Sequence, residues 1–170
     1  MNWLFLILTA IAIYTIYNLV ILQTIGVPKS LSMTFYLLQE KKKWLRIWFP
    51  IMMVSMAFLL MPAWLEISIN SPFQFLAFLA PSAIIFTGCA PAFKSSDLEN
   101  AVHMTSAIVA AITALLWVGL VANLWILIAI WLIIIAVTAI VTKTVKSSYI
   151  YWLETVAFIT TFNALLVYYL

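Results

Sequence analysis

The chain has 170 residues, of which 67% are hydrophobic and 8% are charged, with a formal net charge of +3. A soluble domain of average composition carries about 25% charged residues, and a chain this short cannot bury so much apolar surface in a water-soluble core. The composition therefore excludes an ordinary soluble domain and predicts an integral membrane protein. The single cysteine, Cys89, excludes an intrachain disulfide framework.

Six apolar stretches are each long enough to cross a hydrocarbon core of roughly 30 Å, which needs about 20 helical residues. A backbone in lipid must satisfy its own hydrogen bonds, so each stretch is predicted to be a helix. The expected fold class is all-α: a polytopic integral membrane bundle that forms one transmembrane domain over residues 1–170. The predicted spans cover residues 3–26, 47–66, 73–93, 101–121, 124–142 and 150–169.

The first stretch lacks a basic start and a small-residue cleavage site, so it is interpreted as a span rather than a signal peptide. In the connection after it, Pro28 ends span one, and Ser30 or Ser32 can cap a new helix. Two interpretations of residues 29–46 remain open. They form either a short interfacial helix on the membrane surface or an extension of span two.

The same connection is rich in basic residues that could reach lipid. Four of its side chains are candidates for contact with anionic lipid headgroups: Lys41, Lys42, Lys43 and Arg46. The expected partners are the lipid bilayer, its anionic headgroups, and either further copies of the chain or a larger membrane complex. Nucleic acid is not expected to bind, because no basic run exists away from a membrane flank.

All eight lysines and arginines fall in the first, third and fifth connections, and none falls in the second or fourth. A single span over residues 101–142 would place Lys143 and Lys146 opposite the Lys41–Arg46 cluster. The positive-inside tendency therefore splits this run at a tight turn near Ala122 and Asn123. It predicts a multi-pass protein of the cell membrane with both termini non-cytoplasmic.

Tryptophan positions agree with the same six spans. Trp44 and Trp48 fall at the start of span two, Trp64 near its outer end, and Trp117 beside the outer turn. Because an indole ring is apolar with one polar N–H, these side chains are expected at the headgroup level.

Two further patterns concern packing. Pro81 lies inside span three and is predicted to kink it, and the small residues near Gly88 offer a thin surface for close helix contact. The apolar stretch from Ile126 to Ile135 is polar only at the Trp131 N–H, which predicts that span five faces lipid or a second subunit rather than an aqueous pore.

The strongest candidates for chemistry lie on the polar segment before and inside span four. On a helix, Glu99, His103 and Ser106 would share one face. His103 would lie about one turn inside the boundary, where it could bind a proton, a metal or a lipid phosphate. Asp97 and Glu99 have a competing interpretation, because Ser96-x-x-Glu99 matches a capping box and acids stabilise the first turn of a helix.

Glu154 is the second candidate for a ligand or proton site. It lies about one turn into span six from the same side as His103, so a hydrogen bond or ion pair between them is permitted by depth. The alternative is an interior salt bridge that fixes helix packing. No catalytic residue, metal site or cofactor is predicted, because one His and one Cys are too few for the ligand set that zinc normally needs.

The segments Gly88–Phe93 and Val102–Ala107, with Asp97 between them, resemble the histidine motif of small multispan families of the Frag1/DRAM type and the DUF998 type. These families are distantly similar to the alkaline-ceramidase and progestin-receptor superfamily. The resemblance implies a small helical bundle with one polar site near a helix end. Ceramidase-like members hold a metal with several histidines, whereas this chain has only His103.

Two functions from different classes follow. In the first, the protein is a non-enzymatic structural, accessory or oligomeric membrane subunit. In the second, it binds or transports a small ligand, an ion, a proton or a lipid headgroup at the site of His103 and Glu154. A lipid hydrolase comes third.

Overall fold

A computed structural model describes residues 3–142 and 148–170, which form seven α-helices and no β-strand. The all-α class is therefore confirmed for this part of the chain. The α-helices are α1 (Trp3–Ile25), α2 (Thr34–Lys41), α3 (Trp48–Ser68), α4 (Leu76–Cys89), α5 (Asp97–Leu120), α6 (Trp125–Thr142) and α7 (Tyr149–Tyr169), and a 3-10 helix (Lys43–Ile47) leads into α3.

Four helices in the described ranges are long and apolar enough to cross a membrane: α1, α3 with its preceding 3-10 turn, α5 and α7. The chain is thus an all-helical membrane bundle. The apolar helix α4 and the apolar part of α6, Trp125–Ile140, are shorter. That all six predicted segments cross the bilayer therefore stays a prediction.

Turns limit α4 at both ends. Its 14 residues extend about 21 Å at the rise of an α-helix, which is less than a hydrocarbon core of roughly 30 Å. The predicted segment was 73–93, but residues 72–75 and 91–94 form turns. Pro91 stands in the second of these turns, and a proline cannot donate the backbone hydrogen bond that a continuing helix needs. Pro72 stands in the first turn, where a missing N–H costs a helix nothing, so it does not explain the late start of α4.

Five helices form a closed ring. In it α1 packs against α3 and α7, α4 packs between α3 and α5, and α5 packs against α7. A further apolar helix, α6, lies outside the ring and packs against α5 and α7. None of the α6 side chains that the structure describes is buried. This is the position that the sequence predicted for an apolar helix facing lipid or a second subunit.

Residues 101–142 contain two helices, as the charge distribution predicted. α5 ends at Leu120 and α6 begins at Trp125. Between them Asn123 has a φ of 55°, a left-handed conformation that asparagine adopts more readily than most residues. The Leu124 N–H donates to the Val118 carbonyl at 3.0 Å and closes the turn.

The first connection contains a separate short helix. α2 ends at Lys41, and Lys42 adopts an extended conformation with φ −153° and ψ 131°. The chain then passes through the 3-10 helix into α3. The interpretation of residues 29–46 as a continuous extension of span two is therefore wrong, because Lys42 interrupts the helix. The interfacial position of α2 stays a prediction.

The first and third connections lie at the same end of the ring. The Lys94 N–H donates to Tyr36 Oη at 2.7 Å, and the Tyr151 N–H at the start of α7 donates to the Lys29 carbonyl at 3.1 Å. This end is termed the basic end, because its connections carry Lys29, Lys41–Lys43, Arg46 and Lys94. Lys143 and Lys146 lie outside the described residues.

Two tryptophans expected at the headgroup level are buried inside the bundle instead. The Trp117 Nε1–H donates to Ser68 Oγ at 2.8 Å, and its ring meets that of Trp64 edge to face at 5.9 Å between centroids. These two rings fill space between α3 and α5 and make no direct contact with headgroups. Their depth in the bilayer stays a prediction. Trp44 and Trp48, at the basic end, are exposed as expected.

Gly88 permits the close contact of α4 with α3 that the sequence predicted. A Cβ atom at this position would lie 2.9 Å from Met53 Cβ, closer than two side-chain carbons can approach. We expect Gly88→Ala to destabilise the bundle by about 1–3 kcal/mol, since the helices must move apart. Thermal unfolding in detergent measures the loss. Cys89→Ala, at an exposed neighbouring position, is the control and should change stability by less than about 0.5 kcal/mol; equal losses would contradict the tight contact.

Candidate functional site

His103 is buried at the basic end with both ring nitrogens in hydrogen bonds. Nδ1 lies 2.9 Å from the Ala90 carbonyl oxygen and 3.1 Å from that of Thr87. Because carbonyl oxygens only accept, Nδ1 carries a hydrogen and donates it to them. Nε2 lies 2.7 Å from Ser32 Oγ and, in the neutral ring, accepts from that hydroxyl. His103 thereby joins α5, the end of α4 and the first connection.

The walls around this imidazole are aromatic. The Phe93 ring stacks on it at 4.7 Å between centroids, and the Phe49 ring lies at 6.4 Å. The side chain is 2% exposed. A ring that is buried this way, with both nitrogens bonded to the protein, has no nitrogen left for a metal or a lipid phosphate. The geometry thus favours a structural role for His103.

Ser106 belongs to the same hydrogen-bonded cluster. Its hydroxyl lies 2.9 Å from Thr87 Oγ1 and donates to the His103 carbonyl at 3.0 Å. The three side chains predicted to share one face of α5 contact the same neighbouring segment: His103 and Ser106 contact the end of α4, and Glu99 contacts the turn that follows it.

Glu99 and Asp97 occupy the beginning of α5, where the capping interpretation placed them. Ser96 Oγ accepts from the Glu99 N–H at 3.2 Å, which caps the helix. The Glu99 carboxylate accepts from the Ala92 N–H at 3.1 Å and from Ser95 Oγ at 2.5 Å. Asp97 is exposed in the first turn. The Glu99 bonds hold the third connection against α5.

Replacing these two acids should have unequal effects. Glu99→Ala removes two hydrogen bonds to a charged group and is expected to cost about 2–3 kcal/mol of stability. Asp97→Ala removes only a favourable interaction with the helix dipole and should cost less than about 1 kcal/mol. Thermal unfolding of the two variants in the same detergent compares them. If Asp97→Ala were the more destabilising variant, the assignment of Glu99 as the structural acid would be wrong.

Glu154 lies on α7 beside the first connection. The Leu31 N–H donates to its Oε2 at 2.7 Å. Among the residues that the structure describes, no cationic side chain pairs with this carboxylate, and His103 is not hydrogen-bonded to it. Instead, two adjacent residues of the first connection contact one of these side chains each: Leu31 binds Glu154, and Ser32 binds His103. The direct contact between Glu154 and His103 that their depth permits is therefore not made, and the two side chains are linked through the first connection instead.

Glu154 also lines a cavity of about 80 Å³ inside the helix ring. Its walls come from α3, α4, α5 and α7, together with Leu31 and Ser32 at the basic end. The space exists because α5 presents small side chains to it: Ala107, Ala110, Ala111 and Ala114. The remaining walls include three aromatic rings: Phe49, Trp64 and Phe158.

Trp64 brings an unsatisfied donor to this cavity. Its ring is 1% exposed, and its Nε1–H has no hydrogen-bond partner among the described residues. Leaving a buried donor unpaired costs about 1–3 kcal/mol. The cavity is therefore lined by one carboxylate side chain and by a tryptophan whose N–H is unpaired, on mainly apolar walls.

A further polar cluster joins α1 to α7 and to the first connection. The Tyr151 hydroxyl donates to Asn18 Oδ1 at 3.0 Å, and Asn18 Nδ2 donates to the Tyr14 carbonyl at 2.9 Å. The Tyr17 hydroxyl is hydrogen-bonded to Thr34 Oγ1. The bond to Thr34 fixes the segment that follows Leu31 and Ser32 against α1, and the bond from Tyr151 to Asn18 joins α7 to α1.

The basic side chains of the first connection lie on the surface of the bundle. Lys41, Lys42, Lys43 and Arg46 are all exposed. Arg46 Nη1 lies 3.4 Å from Gln39 Oε1, and its guanidinium lies 5.8 Å from the centroid of the Phe35 ring. Their contact with lipid headgroups stays a prediction.

Sequence reasoning identified His103, Glu154, Glu99 and Ser106 but missed several of their neighbours. Leu31 acts through its backbone N–H, which no side-chain pattern reveals. Ser32 was considered only as a helix cap, and Trp64 only as a headgroup residue. The sequence did carry a signal for the cavity that Trp64 lines, because span four carries several alanines, whose small side chains leave space inside a bundle.

No group of three His, Cys, Asp or Glu side chains that could hold a metal ion occurs within residues 3–142 and 148–170. No protein-family model matches the chain, and neither a curated protein nor a solved structure matches it. The resemblance of residues 88–107 to small multispan families stays a prediction. The function must be inferred from the geometry of the site.

Proposed function

We propose that this protein is a non-enzymatic membrane bundle that binds a small organic ammonium ion in the cavity beside Glu154. The observation that carries the proposal is a carboxylate that faces an intramembrane cavity and has no cationic partner among the described residues. The single Leu31 N–H compensates only part of its charge.

A charged side chain within a membrane span is costly and usually pairs with an opposite charge. A bound cation would supply that charge beside Glu154. The Leu31 N–H already occupies Oε2 at 2.7 Å, which orients the carboxylate and leaves its other oxygen to accept from a ligand N–H.

The cavity walls favour an organic cation over a hydrated metal ion. Aromatic faces attract ammonium groups, and the interaction is worth about 2 kcal/mol when the groups are desolvated. Phe49 and Phe158 line the cavity with Glu154. The alanine wall of α5 offers apolar space for a short alkyl group, which a metal ion with its waters would not use.

Ligand-induced stabilisation of the purified protein tests this proposal. We expect propylammonium to raise the unfolding temperature, whereas the neutral analogue 1-propanol at the same concentration should not. At 100 times the dissociation constant, a ligand that binds only the folded state stabilises it by about 2.7 kcal/mol. Glu154→Gln should abolish the response without unfolding the protein, since the amide oxygen can still accept from the Leu31 N–H.

Glu66→Gln is the matched control, because Glu66 lies in the last turn of α3, at the opposite end of the bundle, and does not line the cavity. It should respond to propylammonium like the wild type. Equal responses of the wild type and Glu154→Gln, or no response in either, would contradict the proposed site.

We further infer that six segments cross the cell membrane, with the basic end cytoplasmic and both termini non-cytoplasmic. The support is the alternation of basic and neutral connections and the helix break at Asn123. In a Cys89→Ala background, a membrane-impermeant thiol reagent outside intact cells should label Asn123→Cys and not Lys43→Cys. The reverse labelling would contradict this orientation.

A role as an accessory subunit is a second candidate, favoured by the position of α6. This helix lies outside the ring, and its exposed apolar residues include Ile126, Ile133, Val137 and Ile140. Such a surface can pack against lipid or against another membrane helix. The mass of the detergent-solubilised particle, measured by light scattering, shows whether this surface packs against another copy of the chain. The mass of a monomer would contradict self-association.

A further inference from the structure

A second apolar space lies on the outer surface of the helix ring, between α1 and α3. This α1–α3 groove has a volume of about 770 Å³ and does not include Glu154 or any other residue of the central cavity. Along α1 it extends from Thr24 to Ile13, a length of roughly 16 Å at the rise of an α-helix.

The part of the groove that lies away from the basic end is apolar and exposed on the surface of the bundle. Ile16 is 62% exposed and Val20 is 48% exposed, and across the groove Ile51 and Met52 of α3 form the other wall. In a membrane bundle, such an opening on the perimeter faces the acyl chains of lipids.

The basic end of the groove is chemically different. Within residues 3–142 and 148–170, Lys41 is the one charged residue that lines the groove, and Trp44 and Trp48 line it beside Lys41. Lys42, Lys43 and Arg46 are exposed next to it. Basic side chains near a membrane surface attract anionic headgroups, and tryptophan rings favour the headgroup level.

We propose that the α1–α3 groove binds one anionic phospholipid, with an acyl chain between α1 and α3 and its phosphate at Lys41. Charge and shape coincide here, since an apolar groove about as long as one leaflet of the hydrocarbon core is deep ends at a cluster of lysines. The lipid would also pack α2 against the ring, because Leu38 of α2 lines the same groove. The site is independent of the ligand proposed for Glu154.

Native mass spectrometry of the detergent-purified full chain tests this site with two probes, phosphatidylglycerol and phosphatidylcholine of identical acyl chains. The first phosphatidylglycerol should bind about tenfold more tightly than phosphatidylcholine, because one site carries several basic groups. Lys41→Gln should weaken phosphatidylglycerol binding about fivefold. Lys29→Gln, an exposed lysine at the same end that does not line the groove, should leave it unchanged.

A second pair of variants tests the acyl-chain part. Val20→Trp places a bulky ring in the groove and should weaken the binding of both lipids. Leu19→Trp is the matched control, since Leu19 is exposed on the same helix but does not line the groove. Equal affinity of the wild type for both lipids, equal losses in Lys41→Gln and Lys29→Gln, or unchanged binding in Val20→Trp would each overturn the proposal.

Discussion

His103→Ala is expected to destabilise the bundle by about 3–5 kcal/mol, as for other large buried side chains truncated to alanine. The loss combines a cavity between Phe93 and Phe49 with unpaired carbonyl groups at Thr87 and Ala90, which the imidazole now satisfies. Thermal unfolding in detergent, followed by size-exclusion chromatography, measures the fraction that remains folded.

Two amide replacements separate the contributions of the two ring nitrogens. Asn places an N–H donor near the position of Nδ1, so His103→Asn should retain part of the bond to the Ala90 carbonyl. Gln reaches toward the position of Nε2, so His103→Gln should retain only the contact with Ser32. We expect His103→Asn to be the more stable of the two, because Nδ1 serves two carbonyls. The opposite order would show that the Ser32 bond dominates.

Ala110→Leu is expected to weaken ammonium binding at least tenfold, which corresponds to about 1.4 kcal/mol. Ala110 is buried on α5 and lines the central cavity, so a larger side chain occupies the space of the ligand. Stability should change by less than about 3 kcal/mol, because the new carbons enter an existing void rather than a filled core. Calorimetric titration with propylammonium measures the affinity.

Ala101→Leu makes the same chemical change at an exposed position of α5 that does not line the central cavity. It should bind propylammonium like the wild type. If Ala110→Leu retained full affinity, the ligand would bind somewhere other than this cavity.

The helices could be predicted from the sequence because lipid imposes a simple rule. An apolar stretch of about 20 residues must satisfy its backbone as a helix, and charge placement located the break near Asn123. The limits of α4 were missed, because a hydropathy pattern does not show the turn at residues 72–75 or the end of the helix before Pro91. The separate helix α2 was one of two open interpretations, the other being an extension of span two. The extended backbone of Lys42 interrupts the helix and excludes that extension.

The site was only partly predictable. His103 and Glu154 stand out in a sequence, since ionisable groups inside spans are costly. Their link through Leu31 and Ser32 could not be inferred, because it depends on how the first connection folds back between helices distant in the chain. The cavity likewise arises from alanines on α5 meeting larger side chains on α3 and α7, a juxtaposition that exists only in three dimensions.

The distance between the ligand nitrogen and the Glu154 carboxyl carbon tests the central claim most directly. It can be measured by solid-state NMR in a bilayer, with ¹⁵N-propylammonium and protein labelled with ¹³C at the glutamate carboxyl carbons. We predict dipolar dephasing that corresponds to an ion-pair separation of about 4 Å, present in the wild type and in Glu66→Gln but absent in Glu154→Gln. No dephasing in the wild type, or dephasing that persists in Glu154→Gln, would contradict the proposed ammonium site.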